Sequence, residues 1–121
     1  MSASEGYLTF VKDLLGDFGH VTARRMFSGA GIYESGVMFG LVIDDVLYLK
    51  ADEAFAKKFV AEDMKPFSYS AAGKCVSTSY WRVPERLLED PDDMRSWAEQ
   101  ALRVARTRAA KPRRKKVAGA T

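Results

Sequence analysis

The sequence predicts an α+β fold. The expected form is a two-layer sandwich, an antiparallel sheet with helices mainly on one face, in the order α-β-β-β-α-β-β-α. Three observations predict it. Apolar residues recur at helical spacing near both ends of the chain and once in the middle. Between them run short segments rich in β-branched and aromatic residues, separated by Gly, Asp and Ser turn signals. Capping residues stand where each helix should begin.

The elements follow in order. Tyr7, Leu8, Val11, Leu14, Leu15 and Phe18 fall on one face of a first helix. Ser2 and Glu5 fit a capping box before it, and Gly19 is placed to end it. Val21 to Phe27 and Gly31 to Tyr33 read as extended, with Gly29 and Gly31 interrupting. Glu34-Ser35-Gly36 is a turn signal, Val37 to Ile43 a buried-strand run, Asp44-Asp45 a tight turn, and Val46 to Lys50 the returning strand. Together these predict a three-stranded antiparallel meander. Asp52 can cap a second helix in which Phe55 and Phe59 face inward one turn apart, and Lys65-Pro66 ends that stretch. Phe67 to Ser70 and Cys75 to Trp81 form a second hairpin around Ala71-Ala72-Gly73. Its second strand turns Val76, Thr78 and Tyr80 to one face and Cys75, Ser77, Ser79 and Trp81 to the other. A short turn at Glu85 to Leu88 precedes Asp90-Pro91-Asp92-Asp93. That segment supplies a capping Asp, Pro at the first helical position and acids that suit the helix dipole. Met94, Trp97, Ala98, Ala101, Leu102 and Ala105 then make a buried stripe, and Lys111-Pro112 stops the helix.

A chain of 121 residues with 47% hydrophobic and 12% aromatic content builds one domain with a core that needs no metal or disulfide. Cys75 is the single cysteine, so no internal disulfide forms and a reducing compartment is expected. The first six residues have neither the basic nor the apolar region of a signal peptide, and no apolar run approaches the roughly 20 residues of a membrane span. The expected location is cytoplasmic, without membrane contact. The formal charge of +3 divides sharply. Eight of the 19 basic residues lie after Glu99, where no acid occurs, which leaves eleven against 16 acids in the rest. The domain is therefore expected over residues 1–110, acidic in balance, with a basic disordered tail over 111–121.

Arg24-Arg25-Met26-Phe27-Ser28-Gly29-Ala30-Gly31-Ile32-Tyr33 resembles the signature of the TfoX N-terminal domain family. Gly36 to Phe39, Leu47 to Lys50, Pro66-Phe67, Tyr80-Trp81 with Pro84, and the Asp90-Pro91 helix start continue the resemblance over roughly residues 5 to 106. It implies a compact α/β architecture related to secretion chaperones, a tendency to dimerise, and a link to regulators of DNA uptake and natural competence. In those regulators a second, C-terminal domain follows, and here a basic segment is expected in its place. The resemblance carries over no catalytic residue.

The chemistry-bearing residues weigh as follows. Cys75 could be a nucleophile or redox thiol, but one Cys and one His, His20, build neither an ordinary zinc site nor a visible catalytic pair. A packing or surface thiol and a helix-end histidine are the simpler readings. Asp44 and Asp45 are read as turn residues, and Asp90, Asp92 and Asp93 as helix-start residues. Gly29 and Gly31 lack the Lys-Ser or Lys-Thr of a phosphate loop and read as backbone relief. Arg24 and Arg25 must point to opposite faces of a strand, so one lies against the helices or in an interface, held by an internal salt bridge or by a partner or anion. Tyr80-Trp81 likewise sends one ring to each face. An exposed Trp81 near Met38 or Tyr33 would make a partner patch, unless helix packing covers it. The candidate interface is Arg24, Arg25, Phe27, Tyr33, Met38, Tyr80 and Trp81. Lys111, Arg113, Arg114, Lys115 and Lys116 are candidates for non-specific, salt-sensitive contact with nucleic acid. The leading expectation is a regulatory module, not an enzyme. It would act through protein–protein contact as a homodimer, with no cofactor or metal. The alternatives are a nucleic-acid accessory protein working through the tail and a small enzyme using Cys75.

Overall fold

The structure is a computed structural model, and it describes residues 3–16, 20–26 and 29–110. Among them are helices α1 (Glu5–Leu15), α2 (Glu53–Ala61) and α3 (Pro91–Ala110) and strands β1 (Val21–Met26), β2 (Gly29–Glu34), β3 (Val37–Ile43), β4 (Val46–Lys50), β5 (Pro66–Ala71) and β6 (Lys74–Arg82). A 3-10 turn, Glu85–Glu89, leads into α3. The strands form one antiparallel sheet in the order β1-β2-β3-β4-β6-β5. The α+β class is as the sequence predicts. The meander, however, has four strands and not three. The stretch read as interrupted is a hairpin that sets Met26 opposite Gly29.

Two glycines explain why that hairpin was hard to read. Neither sits at a bulge or at positive φ. A Cβ on Gly29 would strike the carbonyl oxygen of Val42. A Cβ on Gly31 would meet Met38 Sδ at 3.0 Å and the Tyr33 ring at 3.0 Å. Both serve close approach inside β2. The bulge lies one strand over. Ile32 faces Gly40 and Tyr33 faces Met38, so Phe39 is the extra residue of β3. Phe39 enters the core, and Met38 joins Tyr33 on the other face.

The tight turns follow one rule. Ser35-Gly36, Asp44-Asp45 and Ala72-Gly73 all take positive φ at both central positions, the geometry that matches strand twist in two-residue hairpins. Helix ends differ from expectation only in detail. Ser4, and not Ser2, caps α1 by accepting from the Tyr7 N–H at 3.1 Å. Its own N–H donates to Asp45 Oδ1 at 2.8 Å, which fastens the helix start to the β3–β4 turn. Gly16 closes α1 with φ 56, three residues before the expected Gly19. Ser2, Phe18 and Gly19 lie outside the described residues, as does Lys111-Pro112 beyond α3. Asp52 caps α2 through the Phe55 N–H (2.8 Å), and Asp90 caps α3 through the Asp93 N–H (3.1 Å).

All three helices contribute to one core on one face of the sheet. α3 lays Met94, Trp97, Ala98, Ala101, Leu102 and Ala105 across β3 and β4, where Val42, Leu47 and Leu49 meet them. α1 adds Leu8, Val11, Leu14 and Leu15, and α2 adds Phe55 and Phe59. Phe59 is fully buried and touches both tryptophans, with ring centroids 4.9 Å from Trp97 and 5.9 Å from Trp81. Outside the core, Arg86 bridges Glu62 (2.5 Å) and Asp93 (2.6 Å), tying the end of α2 to the start of α3.

Glu34 is the one buried acid of the sheet, 8% exposed. It receives Arg106 of α3 at 2.8 Å, the Ser35 hydroxyl at 3.0 Å and the His20 N–H at 3.4 Å. Burial works to raise its pKa. The hydrogen bonds from Ser35, Arg106 and His20 outweigh burial and hold the carboxyl below the ordinary glutamate range.

Phe59→Ala is expected to cost about 3–5 kcal/mol in urea unfolding and to shift tryptophan emission to longer wavelength, since both indoles lose a ring partner. An unchanged midpoint would mean the core is not organised around it. For Glu34, the depressed carboxyl contributes stability above the ordinary glutamate value, and that contribution is lost as pH falls through the folded value. The stability gap between wild type and Glu34→Gln should therefore be constant near neutrality and close in acid. A pH-independent gap would rule out the clamp.

Candidate functional site

Strand alternation leaves the second face of the sheet without a helix. Leu47 and Leu49 of β4 point into the core, so Val46, Tyr48 and Lys50 point away. Register carries the same sorting across the sheet. Arg24 pairs with Gly31, Tyr33 with Met38, Leu41 with Tyr48, Lys50 with Tyr80, and Tyr48 with Arg82. Leu41 is buried, yet it is not part of the helix-covered core. It is packed from this second side.

The face has two aromatic groups. At one end of the sheet, Tyr33 carries the Arg24 guanidinium 5.7 Å from its ring centroid, and Tyr80 carries Lys50 Nζ at 5.0 Å. Lys50 also donates to Ser79 Oγ at 2.6 Å. Burial, followed by the Arg108 charge at the end of α3, lowers the Lys50 pKa. Burial also raises the phenol pKa of Tyr80, and the neighbouring Tyr33 adds to the rise. Toward the β5 edge, Tyr48 meets Phe67 edge-on at 5.3 Å, and Phe67 stacks on Tyr69 at 6.3 Å. Tyr69 is 48% exposed. Gly31 leaves the space into which Tyr33, Met26 and Met38 converge.

Charge is distributed just as unevenly. Glu34 is the only acid in the six strands, and it faces the helices. The open face carries Arg24, Lys50 and Arg82 against no strand carboxylate. Asp44 and Asp45 sit on the β3–β4 turn, at the far end from Tyr33 and Tyr80.

The candidate interface residues therefore separate. Arg24, Tyr33, Met38 and Tyr80 share the open face. Arg25 turns to the helix side, where its guanidinium donates to the Ala3 carbonyl at 2.6 Å. Trp81 also turns inward, opposite Leu49 and against Phe59, so it does not join Tyr33 and Met38. Phe27, Lys111, Arg113, Arg114, Lys115 and Lys116 lie outside the described residues. Tyr48, Lys50, Phe67, Tyr69 and Arg82 were missed in the sequence. The alternation of Val46-Leu47-Tyr48-Leu49-Lys50 holds the signal for two of them.

Cys75 is exposed in β6, and among the described residues no group of three or more His, Cys, Asp or Glu side chains could hold a metal. A cleft of about 430 Å³ between α2 and α3 is lined by Asp52, Phe55, Lys58, Arg103 and Arg108. No described helix is long and apolar enough to cross a membrane.

The described residues make an α+β domain with one open aromatic and cationic sheet face. The TfoX N-terminal domain family model matches residues 13–105, so the chain belongs to that family. It is also similar to DNA transformation protein TfoX1 of Aliivibrio fischeri (strain ATCC 700601 / ES114), 26% identical over 102 residues, which is 84% of this chain and 47% of that protein. The chain thus spans about half the length of the curated relative it matches.

A spectrophotometric tyrosine titration checks the face. Wild type should show a tyrosinate component that forms later than an ordinary phenol, and Tyr80→Phe should remove part of it. Loss of an early component would place Tyr80 in open solvent.

Proposed function

We propose that this chain is a non-enzymatic regulatory module of the competence-regulator type, acting by contact through the helix-free sheet face. One observation carries the reading. Aromatic and apolar side chains gather on a face that no helix covers, and such surfaces are normally contact sites. The family membership and the likeness to a DNA transformation protein support the regulatory assignment. The cytoplasm is the compartment in which an exposed, unpaired Cys75 stays reduced, and it is the location we propose.

Homodimerisation, which the resemblance to this family implies, is also proposed.

The test is expression in a naturally transformable host that lacks its own regulator of this type, with transcripts of DNA-uptake genes and transformation frequency as readouts. Wild type is expected to raise both, and a Tyr33→Ala/Tyr80→Ala variant with wild-type circular dichroism is expected to raise neither. No response to wild type would remove the competence assignment. An equal response to the variant would remove the open face as the contact surface.

A further inference from the structure

We infer that the open sheet face is a platform for single-stranded nucleic acid, with bases stacking at Tyr33 and Tyr80 and phosphates held by Arg24 and Lys50. This rests on the reading that the open face is the contact surface, and it names what is contacted.

The two rings stand on β2 and β6, with β3 and β4 between them. The Tyr33 phenol is nevertheless near enough to Tyr80 to act on its ionisation. Aromatic side chains on one face of an open sheet hold splayed bases by stacking, because every base has a π face. Each ring here already has a cation over it, Arg24 on Tyr33 and Lys50 on Tyr80. A guanidinium plane stacks on bases as a ring does, and an ammonium beside a ring is placed to meet the phosphate that follows.

Charge selects this occupant over the others. A second copy packed with its strands running the same way would set cations against cations. The segment from Lys111 to Lys116 has the same sign as the face and cannot neutralise it. A purely apolar partner would leave the Arg24 and Lys50 charges without a counter-charge. A polyanion with flat apolar faces satisfies both features together. Asp44 and Asp45 stand at the opposite end of the sheet from Tyr33 and Tyr80.

The experiment is fluorescence anisotropy with a labelled oligothymidylate and with a duplex of equal length, using the full chain at two or more salt concentrations. Wild type should bind the single strand more tightly. Tyr33→Ala and Tyr80→Ala should each weaken binding roughly five- to a hundredfold, and Tyr80→Phe should restore it. Arg24→Gln, at an exposed position that folding does not depend on, should reduce the salt slope by about 0.7. Neutralising Lys111, Arg113, Arg114, Lys115 and Lys116 to Gln should leave the preference for single strand intact. Three results would overturn the proposal. They are no binding by wild type, binding indifferent to Tyr33→Ala and Tyr80→Ala, and binding abolished by the five-Gln variant alone. If wild type binds no oligonucleotide while the Tyr33→Ala/Tyr80→Ala variant still fails in the host assay, this proposal falls and the contact surface stands.

Discussion

The seating of α3 across β3 and β4 is the constraint on which the rest of the domain depends. Its inward stripe combines small and large residues. Ala98, Ala101 and Ala105 are almost fully buried, so the helix backbone approaches the sheet closely, and Met94, Trp97 and Leu102 fill the space to either side. Trp97 reaches Phe55 and Phe59 and so draws α2 into the same layer. α1 packs against α3 from another side. Two polar ties fix the ends of the long helix. Arg86 joins its start to α2 through Asp93 and Glu62, and Arg106 joins its last turns to Glu34 at the end of β2.

Covering one face so completely leaves the other for a different use. Hydrophobic burial on the helix side is enough to hold the sheet, so the opposite side is released from core duty. Its shape is set by details within the strands. The bulge at Phe39 moves one bulky ring into the core and turns Met38 outward beside Tyr33. Gly31 withholds a side chain where three others converge. The outer rows are therefore a fitted surface of rings and cations and not a simple polar exterior.

The electrostatics follow the same division. By composition the sequence before the basic run is acidic in balance, yet its open sheet face is positive. Among the described residues the other acids lie on helices, caps and turns, several of them at helix N-termini, and the one strand acid is committed to Arg106. Net charge alone gives the wrong sign for this face, because it averages over surfaces that point in different directions.

Periodicity and capping by themselves determined the α+β class, the three helices with two of their three caps, the second hairpin with its facing residues, and the inward stripe of α3. These depend on neighbours within a few residues, where sequence spacing maps directly onto geometry. The family signature was legible too, since its blocks lie in order along the chain. The tertiary structure decided the rest. Gly29 and Gly31 looked like interruptions because their reason is a neighbouring strand, Val42 for one and Met38 for the other. The bulge at Phe39 reverses the facing of Met38, and no pattern in Val37 to Ile43 announces it. Adjacent residues in Arg24-Arg25 and Tyr80-Trp81 were known to face opposite ways, but which member faced the helices depended on where α1 and α2 settled. Sheet order placed Tyr33 and Tyr80 on a shared face although 46 residues separate them, and a contact between strands distant in the chain is information that local spacing does not hold.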